Sequence, residues 1–217
     1  MLKRRTHCPV YAGPDRPLTA KRLLSEHPCN LIISDDGLQH YALDRNLEIV
    51  VIDGARRFGN GYCLPAGPLR ESPKRLPQMD LVIINGQAGP GEYQMCVKGE
   101  VAVALKGGEV KALTSFVGAS LHAIAGIGRP ERFFAMLEAA GLKLKRHPFP
   151  DHHRYCADDL KPFASQTVLM TEKDGVKCEL FAQPDHWYVP ATAIVDPGFE
   201  KQLMVMIKRL TDGQKTA

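Results

Sequence analysis

The chain has 217 residues, 44% of them hydrophobic, and a formal net charge of +4. This length suits one large or two small domains, and the hydrophobic content is sufficient for a buried core, which excludes a disordered chain. The basic residues form only short runs, which argues against a nucleic-acid-binding protein. The six cysteines are scattered without a CxxC pair, as is typical of reduced thiols in a cytosolic protein. No signal peptide and no apolar run of roughly 20 residues is present, so we expect a soluble chain.

The first part of the chain alternates helical and strand-like segments, a pattern typical of α/β layering. Residues 18–26 predict an amphipathic helix. Continuous apolar runs predict three strands of a parallel sheet covered on both faces, at residues 30–34, 47–53 and 80–85. The glycine- and proline-rich segment 56–71 predicts a long ordered loop, and such loops in compact α/β domains usually carry function.

The later part of the chain predicts a hairpin and then a second α/β unit. The pair Gly107-Gly108 lies between strand-like residues 95–105 and 109–113. We interpret this hairpin as a linker between domains. Beyond it we predict strands at residues 122–126, 142–147, 167–170 and 187–189, and helices at 130–140, 157–164 and 198–210. The predicted organisation is a core at 1–92, a hairpin linker at 93–118, a smaller α/β domain at 119–196, and a helix and tail at 197–217.

The clearest chemical signal is the pair Asp35-Asp36, which ends the first predicted strand. Ligands of open α/β sheets bind beyond the carboxyl ends of the strands. An apolar strand that ends in acids resembles the Walker-B arrangement, in which an Asp holds Mg²⁺ against nucleotide phosphates. The same pair could equally begin a turn or cap a helix, and the pattern alone does not decide between these possibilities.

Several long motifs in a fixed order resemble the tetraacyldisaccharide 4′-kinase (lipid A 4′-kinase) family. They are SDDGLQHY at 34–41, LEIVVIDG at 47–54, RFGNG at 57–61, LPAGPLRE at 64–71, AGIGRPERF at 125–133, DH at 151–152 and MTEKD at 170–174. The resemblance extends across nearly the whole chain.

The resemblance implies a fold, a reaction and a location. The fold would be α/β: a partial P-loop NTPase-like parallel sheet, lacking its first strand and P-loop, and a smaller α/β domain joined by a two-stranded linker. The reaction would transfer the γ-phosphoryl group of ATP, with Mg²⁺, to the 4′-hydroxyl of a tetraacylated glucosamine disaccharide 1-phosphate in lipid A (lipopolysaccharide) synthesis. The location would be the cytoplasmic face of the bacterial inner membrane, with peripheral attachment to the membrane surface and no nucleic-acid partner.

The resemblance also assigns roles to single residues. Asp35 and Asp36 would bind Mg²⁺ and organise the phosphates. Arg70 and Glu71 would line the catalytic cleft, and His152 would assist the catalytic base from the second domain. Weaker candidates for substrate or phosphate contacts are Arg16, Gln39, His40 and Asn60. Phosphoryl transfer depends on positioning and charge neutralisation, which agrees with these residue types.

Other interpretations of these residues stay open. Arg70 and Glu71 could form a surface ion pair, and His40 could be a loop histidine with a structural partner. His152, His153 and Cys156 include zinc-ligand types but lack a fourth ligand at a suitable spacing. The turn from Gly126 to Gly128 could bind an anion or simply be a tight turn, and Lys173 could face a phosphate or lie in a helix cap.

The sequence contains no GxxxxGK[ST] motif, so the amides, lysine and hydroxyl of a P-loop are absent. The chain therefore resembles an amino-terminally truncated member of the family, and we expect no kinase activity from it alone. We also expect the apolar face of residues 30–34 to be exposed and one sheet edge to be unpaired.

Three functions compete at this stage. The first is the lipid A kinase, whole or truncated. The second is a non-catalytic remnant that binds a partner or a membrane surface. The third is a metal-dependent hydrolase that uses Asp35, Asp36 and His152, which leaves the match at residues 57–71 unexplained.

Overall fold

The computed structural model describes residues 1–214, which form two compact units. The central unit comprises Val97–Ala193. The terminal unit comprises Leu2–Cys96 together with the segment that begins at Ile194. The chain therefore leaves the terminal unit and returns to it.

The terminal unit is built on a four-stranded sheet. Its elements are α1 (Leu2–Thr6), α2 (Arg16–Glu26), β1 (Ile49–Asp53), β2 (Leu81–Asn85), β3 (Tyr93–Lys98), β10 (Thr192–Val195) and α6 (Pro197–Gln214), with a 3₁₀ helix at Pro73–Gln78. The strand order is β1-β2-β3-β10, and β1, β2 and β3 run parallel. Leu81 and Ile83 of β2 pack with Phe199 of α6 in the core. Parallel strands bring their carboxyl ends to one edge, where Asp53 pairs with Asn85.

The central unit is built on a six-stranded sheet. Its elements are β4 (Val101–Ala104), β5 (Val110–Ala112), β6 (Leu121–Ala125), α3 (Pro130–Ala139), β7 (Leu144–Pro148), α4 (Ala157–Leu160), β8 (Thr167–Thr171), α5 (Glu172–Cys178) and β9 (His186–Val189), with 3₁₀ helices at Leu113–Phe116, Lys161–Phe163 and Glu179–Phe181. The strand order is β5-β4-β9-β8-β6-β7. Strands β6, β7, β8 and β9 are parallel, and β4 runs antiparallel to both β5 and β9.

Both faces of this sheet are covered, because alternate residues of a strand point to opposite sides. Leu169 of β8 packs in the core that contains Phe134 and Leu137 of α3. Its neighbour Met170 packs in the opposite core, which contains Leu160 and Phe163. All six cysteines are free thiols, and among residues 1–214 no helix is long and apolar enough to cross a bilayer.

The predicted α/β class with parallel sheets is confirmed, and six of the seven predicted α/β strands are present within a few residues of their predicted limits. The exception is residues 30–34, which form no strand. Leu31 is 50% exposed and Ile33 is 87% exposed. A strand is stabilised by backbone hydrogen bonds to a neighbouring strand, and this apolar run pairs with none. The exposure of this run agrees with the expectation from the sequence.

The domain limits differ from those predicted. The hairpin of β4 and β5 is present, but it extends the central sheet by pairing with β9 instead of forming a separate linker at 93–118. The predicted smaller domain at 119–196 therefore begins earlier, at Val97. Helix α6, predicted as a separate segment at 197–217, packs in the core of the terminal unit and so completes the predicted core of 1–92. Residues 215–217 of the predicted tail lie outside the described residues.

Three histidines of the central unit surround Phe163. His122 Nδ1 and His147 Nε2 are 3.0 Å apart, and both rings contact the Phe163 ring edge-on. His186 is fully buried, with Nε2 3.4 Å from the carbonyl oxygen of Phe163. Burial lowers the pKa of all three imidazoles, and the Lys145 ammonium lowers the pKa of His122 and His147 further. The fold therefore favours the neutral form of each ring.

We predict that acid destabilises the central unit. A histidine whose pKa is lower in the folded state contributes stability that is present above its unfolded pKa of about 6.5 and is lost as the pH falls below it. The free energy of unfolding should fall between pH 7.5 and 5 by on the order of 1 kcal/mol per pH unit for each such histidine. Trp187, the single tryptophan, is buried in this unit and reports its unfolding in urea by fluorescence.

The double variant His122→Gln, His147→Gln should show a shallower dependence on pH than the natural chain. The matched control is His7→Gln, since His7 is exposed and lies in the terminal unit. An identical slope in the natural chain and the double variant would contradict the assignment of the acid sensitivity to this pair.

Candidate functional site

A groove of about 250 Å³ lies beside the first strand of the terminal unit. It is lined by Val50, Val51 and Ile52 of β1 and by Asp53, which ends the strand. Its other lining residues include the polar and charged Gln39, Arg70, Glu71 and Arg75 and the apolar Leu69, Leu76 and Met79. Charged side chains and an apolar strand thus line one groove.

The loop that follows residue 34 brings Asp36 to Arg70. The Nη1 atom of Arg70 lies 3.1 Å from both carboxylate oxygens of Asp36 and 3.5 Å from Oε1 of Gln39. The Nε2 atom of Gln39 donates to Oε1 of Glu71 at 2.6 Å. Four of the residues selected from the sequence, Asp36, Gln39, Arg70 and Glu71, therefore belong to one contact network.

The Asp36–Arg70 pair is open to water, with side-chain exposures of 70% and 61%. Solvent screens such a pair strongly, so it contributes little to stability. Either partner can exchange the other for a ligand at small cost. The carboxylate is therefore available to a cation, and the guanidinium to an anion.

Glu71 is held differently from Asp36. Burial alone raises the pKa of its carboxyl, but hydrogen bonds from Arg75, Gln39 and Tyr41 outweigh burial and hold the pKa below its ordinary value. Its two oxygens accept from Gln39 and Arg75 respectively. Because both of its oxygens accept hydrogen bonds, the ionised Glu71 carboxylate holds the Gln39 and Arg75 side chains in place. The surface pair Arg70–Glu71 considered from the sequence is not the pairing observed, since Arg70 contacts Asp36 and Gln39.

Three residues of this network escaped the sequence analysis. Arg75 pairs with Glu71 and with Glu48, and Arg45 pairs with Glu48 at 2.7 Å. All three side chains are half-buried, with exposures between 17% and 25%. Two local signals were available for this network: Glu71 and Arg75 are four residues apart, and Arg45 and Glu48 are three residues apart.

The remaining candidates of the terminal unit have other contacts. Arg16, the first residue of α2, points Nη2 at the carbonyl oxygen of Asp35 at 3.5 Å. The main-chain nitrogen of His40 donates to the Gly37 carbonyl, which closes a turn. Asn60 is engaged within its own loop, where it donates to the Ala66 carbonyl at 2.9 Å and accepts from the Tyr62 amide at 3.2 Å.

The loop of Asn60 leaves no space for a side chain at Gly67. A Cβ atom there would lie 2.2 Å from Oδ1 of Asn60 and 2.2 Å from the carbonyl oxygen of Tyr62. The contacts of Asn60 described here are thus structural, and they give the glycine-rich segment one defined shape. The predicted substrate role of Asn60 remains a prediction.

In the central unit, the family-like segments meet at the carboxyl edge of the six-stranded sheet. Asp174 follows β8 and is fully buried. Its Oδ2 accepts from the Gly126 amide at 3.0 Å and from Oγ1 of Thr171 at 2.6 Å, and its Oδ1 accepts from Nζ of Lys177 at 3.2 Å. Asp174 thereby ties the end of β8 to the turn after β6. Lys173, the residue considered for phosphate contact, is exposed.

The turn from Gly126 to Gly128 lies against other residues of this edge. A Cβ atom on Gly126 would lie 2.8 Å from the Tyr155 hydroxyl, and one on Gly128 would lie 3.1 Å from Oδ2 of Asp151. A carboxylate in this position disfavours an anion at the turn. Close packing therefore accounts for both glycines.

His152 lies in an exposed loop of the same unit. Its side chain is 89% exposed, its φ of 58° is left-handed, and its Nε2 lies 3.9 Å from Oδ2 of Asp151. The adjacent His153 is engaged with Asp159 at 3.0 Å. A hydrogen bond from the Cys156 amide and the contact with His153 hold the pKa of Asp159 below its ordinary value.

Within residues 1–214, no three His, Cys, Asp or Glu side chains are grouped as a protein-enclosed metal site requires. The zinc alternative at His152, His153 and Cys156 therefore gains no support, since His153 is turned to Asp159. Asp35 and Asp36 remain two neighbouring carboxylates. Oxygen ligands of this kind suit Mg²⁺, which commonly keeps several waters and takes only one or two carboxylates from a protein.

The parallel sheets and the charged groove define an α/β protein with a candidate ligand site beside the first strand of a parallel sheet. A sequence model of the family described as LpxK, tetraacyldisaccharide-1-P 4′-kinase, matches residues 1–208. The chain belongs to this family.

Relatives agree with this membership, and a solved structure shares the fold. The tetraacyldisaccharide 4′-kinase of Nitrosococcus oceani is 48% identical over 209 residues, which cover 96% of this chain and 62% of that protein. The one of Methylobacillus flagellatus is 46% identical over 215 residues, covering 98% and 64% respectively. The chain thus spans less than two thirds of the length of these relatives. A crystal structure described as the apo form of LpxK from Aquifex aeolicus in complex with ATP has the same fold, with a TM-score of 0.72 and 24% identity over 91% of this chain and 63% of that one.

We predict that Asp174→Ala destabilises the central unit by about 3–5 kcal/mol, because it removes a buried carboxylate and leaves its three donors without an acceptor. Urea unfolding followed by Trp187 fluorescence measures the loss. The matched control is Asp158→Ala, which removes an exposed partner of Lys161 and should change stability by no more than about 0.5 kcal/mol. Equal effects of the two substitutions would show that Asp174 does not join β8 to the turn after β6.

Proposed function

We propose that this chain carries part of the machinery that transfers the γ-phosphoryl group of ATP to the 4′-hydroxyl of a tetraacylated glucosamine disaccharide 1-phosphate, a step of lipid A synthesis. The observation that carries the proposal is the contact network of Asp36, Gln39, Arg70 and Glu71, the last three of which line one groove. Membership of the kinase family and the fold shared with a structure in complex with ATP support it.

Asp35 and Asp36 are the residues that fit a Mg²⁺ ion. Both are exposed carboxylates, and Asp36 pairs weakly with Arg70, a residue of the groove, which leaves room for exchange. Bound there, Mg²⁺ would supply charge neutralisation to the phosphates of the nucleotide.

Arg70 would bind a phosphate oxygen once it leaves Asp36. Its guanidinium offers several donors in a planar fork that matches phosphate geometry. The Gln39 side chain contacts Arg70 through its oxygen and Glu71 through its nitrogen. These contacts orient the Arg70 guanidinium as it approaches a phosphate. This division of labour suits phosphoryl transfer, in which positioning and electrostatics dominate.

In this proposal His152 serves as a proton-handling partner of the catalytic base. Its exposed imidazole, with Asp151 nearby, is accessible to a substrate group. Histidine is the side chain that most often acts as a general acid or base in enzymes. Arg16 and His40 are proposed as further polar contacts to the substrate or its phosphates.

The acylated substrate is held in a membrane, so the proposed place of action is the cytoplasmic face of the bacterial inner membrane, reached peripherally. The mild excess of basic residues is compatible with contact to anionic lipid headgroups. No nucleic-acid partner is proposed.

A second candidate function is binding of a partner or surface without turnover. The observation that favours it is the exposure of apolar side chains in the terminal unit, with Ile33 at 87% and Val51, in the middle of β1, at 58%. Large apolar side chains exposed in this way are typical of interaction surfaces.

We predict that the chain alone transfers no phosphoryl group. A chimera that joins this chain to the part of the Nitrosococcus oceani relative outside the matched residues should transfer it. The assay follows γ-labelled ATP, Mg²⁺ and tetraacyldisaccharide 1-phosphate. In the chimera, Asp36→Asn should lower the rate by about 10²–10³-fold, because it removes a charge that organises the phosphates.

Asp44→Asn is the matched control, since Asp44 is an exposed acid in the same region. A chimera that turns over equally well with Asp36→Asn would refute the role of Asp36. An inactive chimera that still binds lipid vesicles would favour the second function, and phosphoester hydrolysis without nucleotide would revive the hydrolase alternative.

A further inference from the structure

The loop that carries Asp36 has no regular secondary structure of its own. Residues 31–48 contain neither a helix nor a strand. Asp36 itself adopts a φ of 50°, a left-handed conformation that is unfavourable for a residue with a side chain. A strained loop keeps one geometry only when surrounding groups fix it.

Two arginines fix the main chain directly after Asp36. Arg45 Nη1 donates to the carbonyl oxygens of Gly37 at 2.9 Å and of Leu38 at 3.2 Å. Arg75 Nη1 donates to the same Leu38 carbonyl at 3.3 Å. Arg45 belongs to the loop itself, shortly before β1, whereas Arg75 lies after β1 in the sequence.

Glu48 joins the two arginines. Its Oε1 accepts from Nε of Arg45 at 2.7 Å and from Nη2 of Arg75 at 2.7 Å. Tyr41 lies against both guanidiniums, with its ring centroid 5.7 Å from Cζ of Arg45 and 5.4 Å from Cζ of Arg75. Two like charges that share one carboxylate and one ring are held at a fixed separation.

Arg75 also reaches the groove itself, because its Nη1 donates to Oε2 of Glu71, the residue that accepts from Gln39. One guanidinium therefore contacts Glu48, the Leu38 carbonyl and Glu71 together. This needs the planar fork of arginine, since a lysine ammonium is a single point and cannot span the three acceptors.

We infer that Arg75 is a positioning residue of the proposed phosphoryl-transfer site. It sets the main chain beside Asp36 and, through Glu71 and Gln39, the approach of Arg70. Glu48 and Arg45 form the rest of this device. The inference rests on the proposed function for its purpose, while the positioning itself is a property of the chain.

The test compares Arg75→Lys with Arg22→Lys in the full chain. Arg22 pairs with Glu26 on the exposed surface of α2, so the control makes the same chemical change in the same unit. The first readout is the set of amide ¹H–¹⁵N signals of Gly37 and Gln39 and the side-chain amide signal of Gln39. The second is the affinity for Mn²⁺, measured by electron paramagnetic resonance as a probe of the carboxylates at 35 and 36.

Arg75→Lys should shift the Gly37 and Gln39 signals and weaken Mn²⁺ binding about tenfold, whereas Arg22→Lys leaves both unchanged. Glu48→Gln should move the same signals in the same direction, since it disconnects the two arginines. Thermal unfolding followed by circular dichroism confirms that each variant is folded. If Arg75→Lys is folded and its amide signals are unchanged, the inference is overturned. It is also overturned if the terminal unit unfolds in both Arg75→Lys and Glu48→Gln, because Arg75 would then have only a structural role.

The two possible failures can be told apart. If the natural chain binds no Mn²⁺, the cation site of the proposed function fails, and the amide signals still decide the positioning role. If Mn²⁺ binds equally well to the natural chain and to Arg75→Lys, the positioning role fails and the cation site stands.

Discussion

The Glu48 carboxylate holds two guanidiniums at the point where an irregular loop passes the first strand. Half-buried ion pairs of this kind have little net effect on stability, because desolvation offsets attraction. Their value here is geometric. Arg45 and Arg75 also donate to main-chain carbonyl oxygens of the loop. These charged groups therefore set the path of the loop, which has no strand pairing to fix it. The exposed Asp36–Arg70 pair depends on that path for its position.

In the central unit, one buried carboxylate fixes the main chain at the ends of two strands. Asp174 accepts from an amide in the turn after β6, from a hydroxyl at the end of β8 and from a lysine, and so joins two strand ends. Asp174 lies in the first turn of α5, directly after the carboxyl end of β8, where ligands of open α/β folds bind. In both units, polar side-chain contacts fix segments that lie next to parallel strands.

The sequence predicted six of the α/β strands that pair within a sheet, because their apolar runs are continuous and bounded by turns, but it missed β10 and merged β3 and β4 into one strand. It failed at residues 30–34, where the same kind of run has no neighbour, since strand formation depends on a partner that composition does not reveal. Family motifs selected Asp36, Gln39, Arg70 and Glu71, which do meet. Glu48, Arg45 and Arg75 escaped notice because charged residues near a strand end usually face solvent, and only the folded chain shows which of them converge.

Val51 is a valine in the middle of a strand, yet it is 58% exposed, and Ile33 is exposed further still. Water around such side chains makes their burial favourable, and this driving force weakens on cooling. Self-association through these side chains should therefore be strongest in warm, salt-rich solution and weakest in the cold. The temperature of the solution should therefore determine what fraction of the protein self-associates.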